Sequence, residues 1–380
     1  MATLHGRPVD RPPVSFYEIG GLTMDPTDPD PFNIYNDPSW HPLLELCEER
    51  TDLIRMRSPV RAHSHEAWAA EGGGADNAHA EFFRTEHFLD AGRRMTRTTL
   101  TIGDRVMTSL TRRDPDMDTL WTVEHLLKSN EDVEAYLQLP DEVFAETIDI
   151  APLIEEEQAL GDRGIVMVDT EDPVCAAATL FSMEDFTIFA MTESALCHRL
   201  LSQCARYLQR RTEEVARRFP GRLWRIYGPE YATEPYLPPH LFEEYVGRYT
   251  SPMVRAIKDS GGFARIHIHG RIRNVLDAVV NMGADAIDPI EPPPQGDVDL
   301  AFVRAQYGEQ LVLFGNLEIA DIENMPPADF EDVVRRALDE GTRGAGRGFV
   351  LMPSACPYGR TLSPETLQNY ETIVRLVETL

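Results

Sequence analysis

From GIVMVDT (164–170) to the end of the chain, short apolar runs of strand length alternate with stretches whose apolar residues recur at three and four positions, the spacing of one helical face. WRIYGPE, RIHIHG, AIDPIE, LVLFGN and FVLMPSACP read as strands. Between and around them stand the amphipathic stretch Met183–Phe219, LFEEYVGRYTSPMVRAIKDSG, RNVLDAVVNMG, a segment from Asp299, PADFEDVVRRALDEG and SPETLQNYETIVRLVETL, which read as helices. Strand and helix in regular alternation predict a parallel sheet with crossover helices. With at least six such units, the α/β class narrows to a closed (β/α)8 TIM barrel rather than an open sheet. No Gly-x-Gly-x-x-Gly follows an early strand, which speaks against a dinucleotide fold.

The first part of the chain has a different texture. Residues 1–42 are rich in Pro and Asp and read as a turn-laden surface segment with one short strand, Val14–Ile19. A helix is predicted over Pro42–Ile54, and 57–80 reads as a polar loop. Its three glycines lack the lysine and hydroxyl residue of a phosphate loop, and its His63 and His65 read as solvated loop histidines. RRMTRTTLTIGDRVMTSL (93–110) alternates about a Gly-Asp turn, the pattern of a β-hairpin. From Trp121 the pattern turns helical. The organisation predicted is an N-terminal extension, 1–56, leading into a single barrel domain, 57–380, with an insertion around 57–120.

The sharpest local pattern is Arg265–Pro294. Side chains alternate across a strand, so Ile266 and Ile268 fall on one face while Arg265, His267 and His269 share the other. A helix follows, with Ile272, Val275, Leu276, Val279 and Val280 on one side and Gly283 as its stop. The next strand ends in Asp288, Glu291 and a proline run that cannot continue a ladder. Every strand of the repeat carries polar residues at its carboxyl end: Asp169, Glu230, His267 and His269, Asp288 and Glu291, Asn316 and Glu318, and Cys356. Ligands of α/β folds collect at this edge. Two imidazoles and a thiol make a nitrogen, nitrogen, sulfur set of the kind zinc accepts. Histidines hydrogen-bonded to carboxylates, and a cysteine used as a small core residue, are the alternatives left open.

Net charge narrows the partners. The chain carries 36 Lys and Arg against 63 Asp and Glu, a net charge of −27 and a pI near 4.7. Such a field repels polyanions, which argues against nucleic acid and favours a neutral or cationic small molecule. The five cysteines, odd in number and scattered, do not make a disulfide framework. No signal-type leader or membrane-length apolar run stands out, so a cytoplasmic location with no membrane partner is expected.

In their order along the chain, RPPVSFYEIGG, LWTVEHLLKSNEDVEAYLQLP, GPEYATEPYLPPHLFEEYV, HIHGRIRNVLDAVVNMGADAIDPIEPPPQGDVDL, GNLE and PSACP resemble the uroporphyrinogen decarboxylase superfamily, most of all its zinc-dependent corrinoid methyltransferase branch. The resemblance implies a barrel with its active site in a cleft at the carboxyl ends of the strands. It also implies zinc ligands: His267 and Cys356 match the first and last ligand positions, and His269 stands where that branch has a cysteine. Losing a thiolate makes the metal a better Lewis acid and favours activation of an oxygen over a thiol. Decarboxylases of the superfamily hold substrate carboxylates with arginines after an N-terminal Arg-x-Pro segment. This chain keeps Arg11, Pro12 and Pro13 but continues with Tyr17 and Glu18 and has no arginine there, so a carboxylate-rich tetrapyrrole is not the expected substrate.

The function expected is therefore zinc-dependent transfer of a methyl group between a small methylated substrate, or a thiol or folate-type acceptor, and a corrinoid. No corrinoid-binding Asp-x-His-x-x-Gly motif is present, so a partner protein would carry the corrinoid. His267, His269 and Cys356 are the expected metal ligands. Glu230 is a further ligand or acid/base, with Glu291, Asn316 and Asp169 beside it as catalytic candidates; Tyr17, Glu18, Arg265 and Glu318 are the candidate substrate contacts. A metal-free decarboxylase, in which Arg265 holds one carboxylate, and a non-catalytic ligand-binding barrel are the competing expectations.

Overall fold

The computed structural model describes residues 1–22, 24–59 and 77–380 of the chain. His63, His65 and the glycine run lie outside the described residues. Two sheets organise the rest. The larger holds seven parallel strands: β1 (Leu53–Arg57), β6 (Gly164–Glu171), β7 (Leu223–Tyr227), β8 (Phe263–Ile268), β9 (Ala286–Pro289), β10 (Val312–Leu317) and β11 (Phe349–Pro353), neighbours in that order. The smaller is antiparallel and lies between β1 and β6 in sequence. It comprises β2 (Phe83–Asp90), β3 (Arg93–Ile102), β4 (Arg105–Arg113) and β5 (Leu120–Glu124), in chain order.

Parallel strands buried on both faces read as near-continuous apolar runs, and the parallel sheet follows that rule at its amino end. Met167, Leu223, Phe263, Val312 and Val350 pack inside the curl of the sheet with Ile54 and Leu4. Ile226, Ile266, Ile287 and Leu313 face outward into the larger core under the helices. The helix Ser194–Arg218 shows why these segments are helical: Leu196, Leu200, Leu201, Cys204, Leu208 and Val215 form its buried stripe. Among the described residues, no helix is long and apolar enough to cross a membrane.

The two edges of the parallel sheet are tied together by the N-terminal segment. Leu351 N donates to Pro13 O (2.9 Å), Ser15 N donates to Leu351 O (3.1 Å), and Asp52 N donates to Val14 O (2.7 Å) just before β1. Val14 thus contributes a single bridge to β11, not the strand expected over Val14–Ile19. The chain turns at once into a short helix, Tyr17–Gly20, because Tyr17 and Ile19 are buried on different sides, in different cores.

Two other expectations are corrected. The helix predicted over Pro42–Ile54 is His41–Arg50, and Leu53 and Ile54 already belong to β1, where pairing with Gly164 and Ile165 overrides local helical preference. The segment at Trp121 is not helical. Thr122 and Trp121 pair with Thr111 and Arg112 of β4, and the helix begins only at Asn130, capped by the Ser129 side chain. The hairpin at the Gly-Asp turn is present as β3 and β4, enlarged on both sides.

Candidate active site

The register of the parallel sheet assembles polar layers above the apolar floor. Asp169 of β6 pairs with Arg225 of β7, and Arg225 with Arg265 of β8. One layer higher, toward the carboxyl ends, Glu171 pairs with Tyr227, Tyr227 with His267, and His267 with Asp288. These residues alternate with the outward isoleucines, so they point into the curl.

Asp288 is the hub of the lower layers. It is wholly buried, lies 3.0 Å from Arg265 Nε and accepts from His267 Nδ1 at 2.7 Å. Tyr17 donates to it from 3.4 Å. Arg265 is equally buried, its guanidinium packed between the rings of Tyr17 (4.6 Å) and Phe314 (4.8 Å). Burial works against the charge of Asp288, but Arg265 and then His267 outweigh it and hold the carboxyl down at about 2. Burial, reinforced by Arg225, pushes His267 down to about 3, so the ring is neutral. Its Nδ1 therefore donates to Asp288, and Nε2 keeps its lone pair.

His269, just past the end of β8, has the opposite character. Its side chain is 35% exposed, against 4% for His267, so it is the imidazole open to solvent. Its Nδ1 donates to Glu291 Oε1 at 2.8 Å, while Gly270 N holds the other Glu291 oxygen at 2.6 Å. Burial opposes its charge, but the Glu291 bond and the fields of Glu291, Glu230 and Glu18 prevail and raise His269 to about 9. The two rings stand edge to face with centroids 4.6 Å apart. A neutral imidazole thus sits beside an imidazolium, each fixed through Nδ1 by its own carboxylate. Neither Nε2 makes a hydrogen bond among the described residues.

Carboxylates dominate the surroundings. Burial raises Glu230, whose Oε2 has no hydrogen-bond partner, and it likewise raises Glu318, whose Oε2 is also unpartnered. Glu18 accepts from Tyr17 OH at 3.0 Å and lies 3.7 Å from Arg225 Nη2, and Asp169 holds Arg225 Nη1 at 3.1 Å. Burial raises Asp169 despite that partner. Asn316 is half-buried at the end of β10. The expected residues Tyr17, Glu18, Asp169, Glu230, Arg265, His267, His269 and Glu291 thus fall into one connected network, with Glu318 within electrostatic range of Glu291.

Cys356 lies just past the end of β11 and is half-buried. Burial, with Glu18 and Asp118 nearby, raises its thiol, and it contributes to the fields felt by Tyr35, Tyr358 and Tyr370. Among the described residues, no three His, Cys, Asp or Glu side chains converge as a group that could hold a metal ion. Two imidazoles with carboxylate-fixed Nδ1 atoms have the outer-sphere support of metal ligands. They supply only two of the four positions a zinc centre fills.

Sequence reasoning missed Arg225, the counter-ion of Asp169 and Glu18, and Asp172. Asp172 caps the helix Pro173–Ala178 by accepting from Cys175 N at 2.7 Å, and burial lifts it to about 8. The signal for Arg225 was present: it stands two residues before Tyr227, on the inward face of an otherwise apolar strand.

Comparisons with known proteins bear on the fold and the family. No curated protein matches the chain. Among solved structures, a methyltransferase from Methanosarcina mazei superposes with a TM-score of 0.60 at 15% identity, covering 100% of this chain and 96% of the other, a likeness of fold. A GH5-4 broad-specificity endoglucanase from Bacteroides salanitronis (TM-score 0.30, 9% identity, 64% of this chain and 79% of the other) and a muconate lactonizing enzyme from Pseudomonas putida (0.28, 10%, 78% and 76%) are too distant to carry an argument. The profile of uroporphyrinogen decarboxylase (URO-D) matches residues 118–379, from just before β5 to the last helix, and takes in Arg225, Glu230, His267, His269, Asp288 and Glu291 but not Tyr17 and Glu18. By that match over most of its length, the chain belongs to the uroporphyrinogen decarboxylase family.

Proposed function

We propose that this protein is an enzyme of methyl-group transfer, working on a small molecule in the cleft above His267 and His269. With Pro13–Ser15 read as an eighth stave, the curled sheet closes into a barrel whose mouth is this cleft. The observation that carries the proposal is the imidazole pair, one ring neutral and one protonated, each held by a carboxylate. The fold likeness to a methyltransferase supports the reaction class.

For a donor R–X–CH3, with X an oxygen, nitrogen or sulfur, the X–CH3 bond breaks with its electron pair passing to X. The Nε2 proton of His269 passes to X in the same step. The methyl group goes to a nucleophile that supplies the pair for the new bond. A corrinoid on a partner protein is the acceptor proposed, and it would supply that nucleophile when bound. Glu291 holds the ring in place as it gains and loses its proton, and the exposed edge of His269 lets solvent restore it. Glu230, with its unpartnered oxygen, receives a cationic or hydroxyl group of the donor. Asn316, Glu318, Tyr17 and Glu18 are the further substrate contacts proposed. If zinc binds, the Nε2 atoms of His267 and of deprotonated His269 would hold it; no step above is routed through it, since Cys356 is not gathered with them as a metal-holding group among the described residues. A decarboxylase needs cations free for substrate carboxylates, and both arginines here are already engaged by Asp169, Glu18 and Asp288.

The test offers methoxy, methylamino and methylthio compounds with reduced cobalamin as acceptor, and follows methylcobalamin by its visible absorbance. One class should turn over, and His269→Gln should slow it by roughly 10²–10⁴-fold, the usual weight of a positioned acid. Failure of all three classes, with carbon dioxide released from a carboxylated pyrrole instead, would overturn the reading. Elemental analysis of wild type and His267→Ala settles whether zinc travels with the histidines.

A further inference from the structure

A cavity of about 420 Å³ lies between the antiparallel sheet and the segments on either side of β6, residues 125–146 before it and Thr179, Leu180 and Tyr207 after it, and neither His267 nor His269 lines it. Its roof is the sheet's inner face. Register places Thr98 opposite Ser109 and Thr111 opposite Thr122, two hydroxyl pairs directed at the cavity. None of these four hydroxyls makes a hydrogen bond among the described residues, so their oxygens are available to a ligand.

The floor is aromatic and acidic. Phe144 stacks on Tyr207 with centroids 5.6 Å apart and meets Tyr136 edge-on at 5.8 Å. Glu146 and Glu171 complete it, sharing the single guanidinium of Arg211 at 2.9 Å each. Two carboxylates against one arginine leave a negative charge at the wall of a half-buried, aromatic-lined space. Burial raises Glu146 in spite of Arg211, so a second positive charge beside it would be favoured. Ring faces, acceptor oxygens and an excess carboxylate attract the same kind of ligand: a compact cation whose charge is spread over alkyl groups, such as a protonated or quaternary amine.

We infer that this cavity is a binding site for a small organic cation, held by the Phe144, Tyr207 and Tyr136 rings, the Glu146 and Glu171 carboxylates, and the threonine and serine hydroxyls of the sheet. The inference does not rest on the reaction proposed above, because binding alone reads it out. Glu171 is the point of contact between the two sites, two strands from His267 in the same layer of the sheet.

Isothermal titration calorimetry with choline, and with its uncharged isostere 3,3-dimethylbutan-1-ol, tests it on the intact wild-type chain. Choline should bind with one-to-one stoichiometry and the isostere about tenfold more weakly or less, the order of a cation–π and carboxylate preference. Glu146→Gln should weaken choline about tenfold, whereas Glu230→Gln, at the histidine cleft, should leave it unchanged. Equal affinity for the two probes, or no binding of choline, would refute a cation site. Loss of binding in Glu230→Gln but not in Glu146→Gln would place the cation at the histidines and overturn the assignment to this cavity.

Discussion

Replacing Asp288 with asparagine keeps the shape of the side chain and removes one negative charge from the interior of the sheet. That charge answers a guanidinium with no exposure at all, and it orders His267 as well. Two routes give the magnitude. Removing one member of a buried ion pair costs about 3–5 kcal/mol because the partner is left uncompensated. Proton linkage gives a smaller figure. The carboxyl is held at about 2 against a reference of 3.8, a difference worth roughly 2 kcal/mol. The sign is that of a depressed acid: the stability is present above the reference value and is lost as pH falls from about 4 through 2. Protonation leaves the geometry intact, so linkage sets the lower bound, and Asp288→Asn should cost about 3 kcal/mol at pH 7. Urea unfolding followed by tryptophan fluorescence reads this as a lowered midpoint at unchanged slope. Arg265→Met in the same chain should restore most of the loss by removing the stranded charge. A cost under about 1 kcal/mol for Asp288→Asn alone, or a double variant less stable than the single, would refute the reasoning that the hub is held by charge.

Two further outcomes follow from the site. Turnover should fall as pH rises through about 9, where His269 loses the proton it donates, and Glu291→Gln should move that limb to lower pH; a limb that stays put in Glu291→Gln would remove His269 as its source. Gly315→Ala should lower the yield of folded protein sharply, because its φ of +152° is one side chains rarely adopt and a Cβ there would stand 2.1 Å from Pro289 O; a melting temperature within a degree or two of wild type would contradict it.

The parts of the structure legible in the sequence are those where one period governs a whole element. Arg265 and His267 share the inward face of β8 as alternation required, and every strand from β6 onward stands where an apolar run was read. Legibility failed where partners distant in sequence decide. Leu53 and Ile54 look like the end of a helix, and only β6 makes them a strand. Trp121 looked like the start of a helix because the residues after it have helical spacing, and β4 claims it first. At the site, residue types were readable but their electrical states were not. His267 and His269 stand two positions apart in one motif, yet one is driven neutral by burial and Arg225 while the other is charged by three glutamates. Those fields come from β7, the segment after it, the N-terminal helix and the loop after β9, and no local pattern encodes their sum.

The clasp of Pro13–Ser15 between β1 and β11 also orders events in time. Its donors and acceptors come from opposite ends of the chain, so the bonds at Leu351 form only after almost the whole polypeptide exists. Until then Pro13–Ser15 on one side and β10 on the other present the unpaired edges that β11 will fill, in the state where such edges recruit other chains. Folding on the ribosome would therefore leave this protein open along one seam until its last strand emerges. Contacts of such long sequence separation also slow the final closure. A truncation ending before β11 should aggregate as a chain with every preceding strand in place and one seam unsealed.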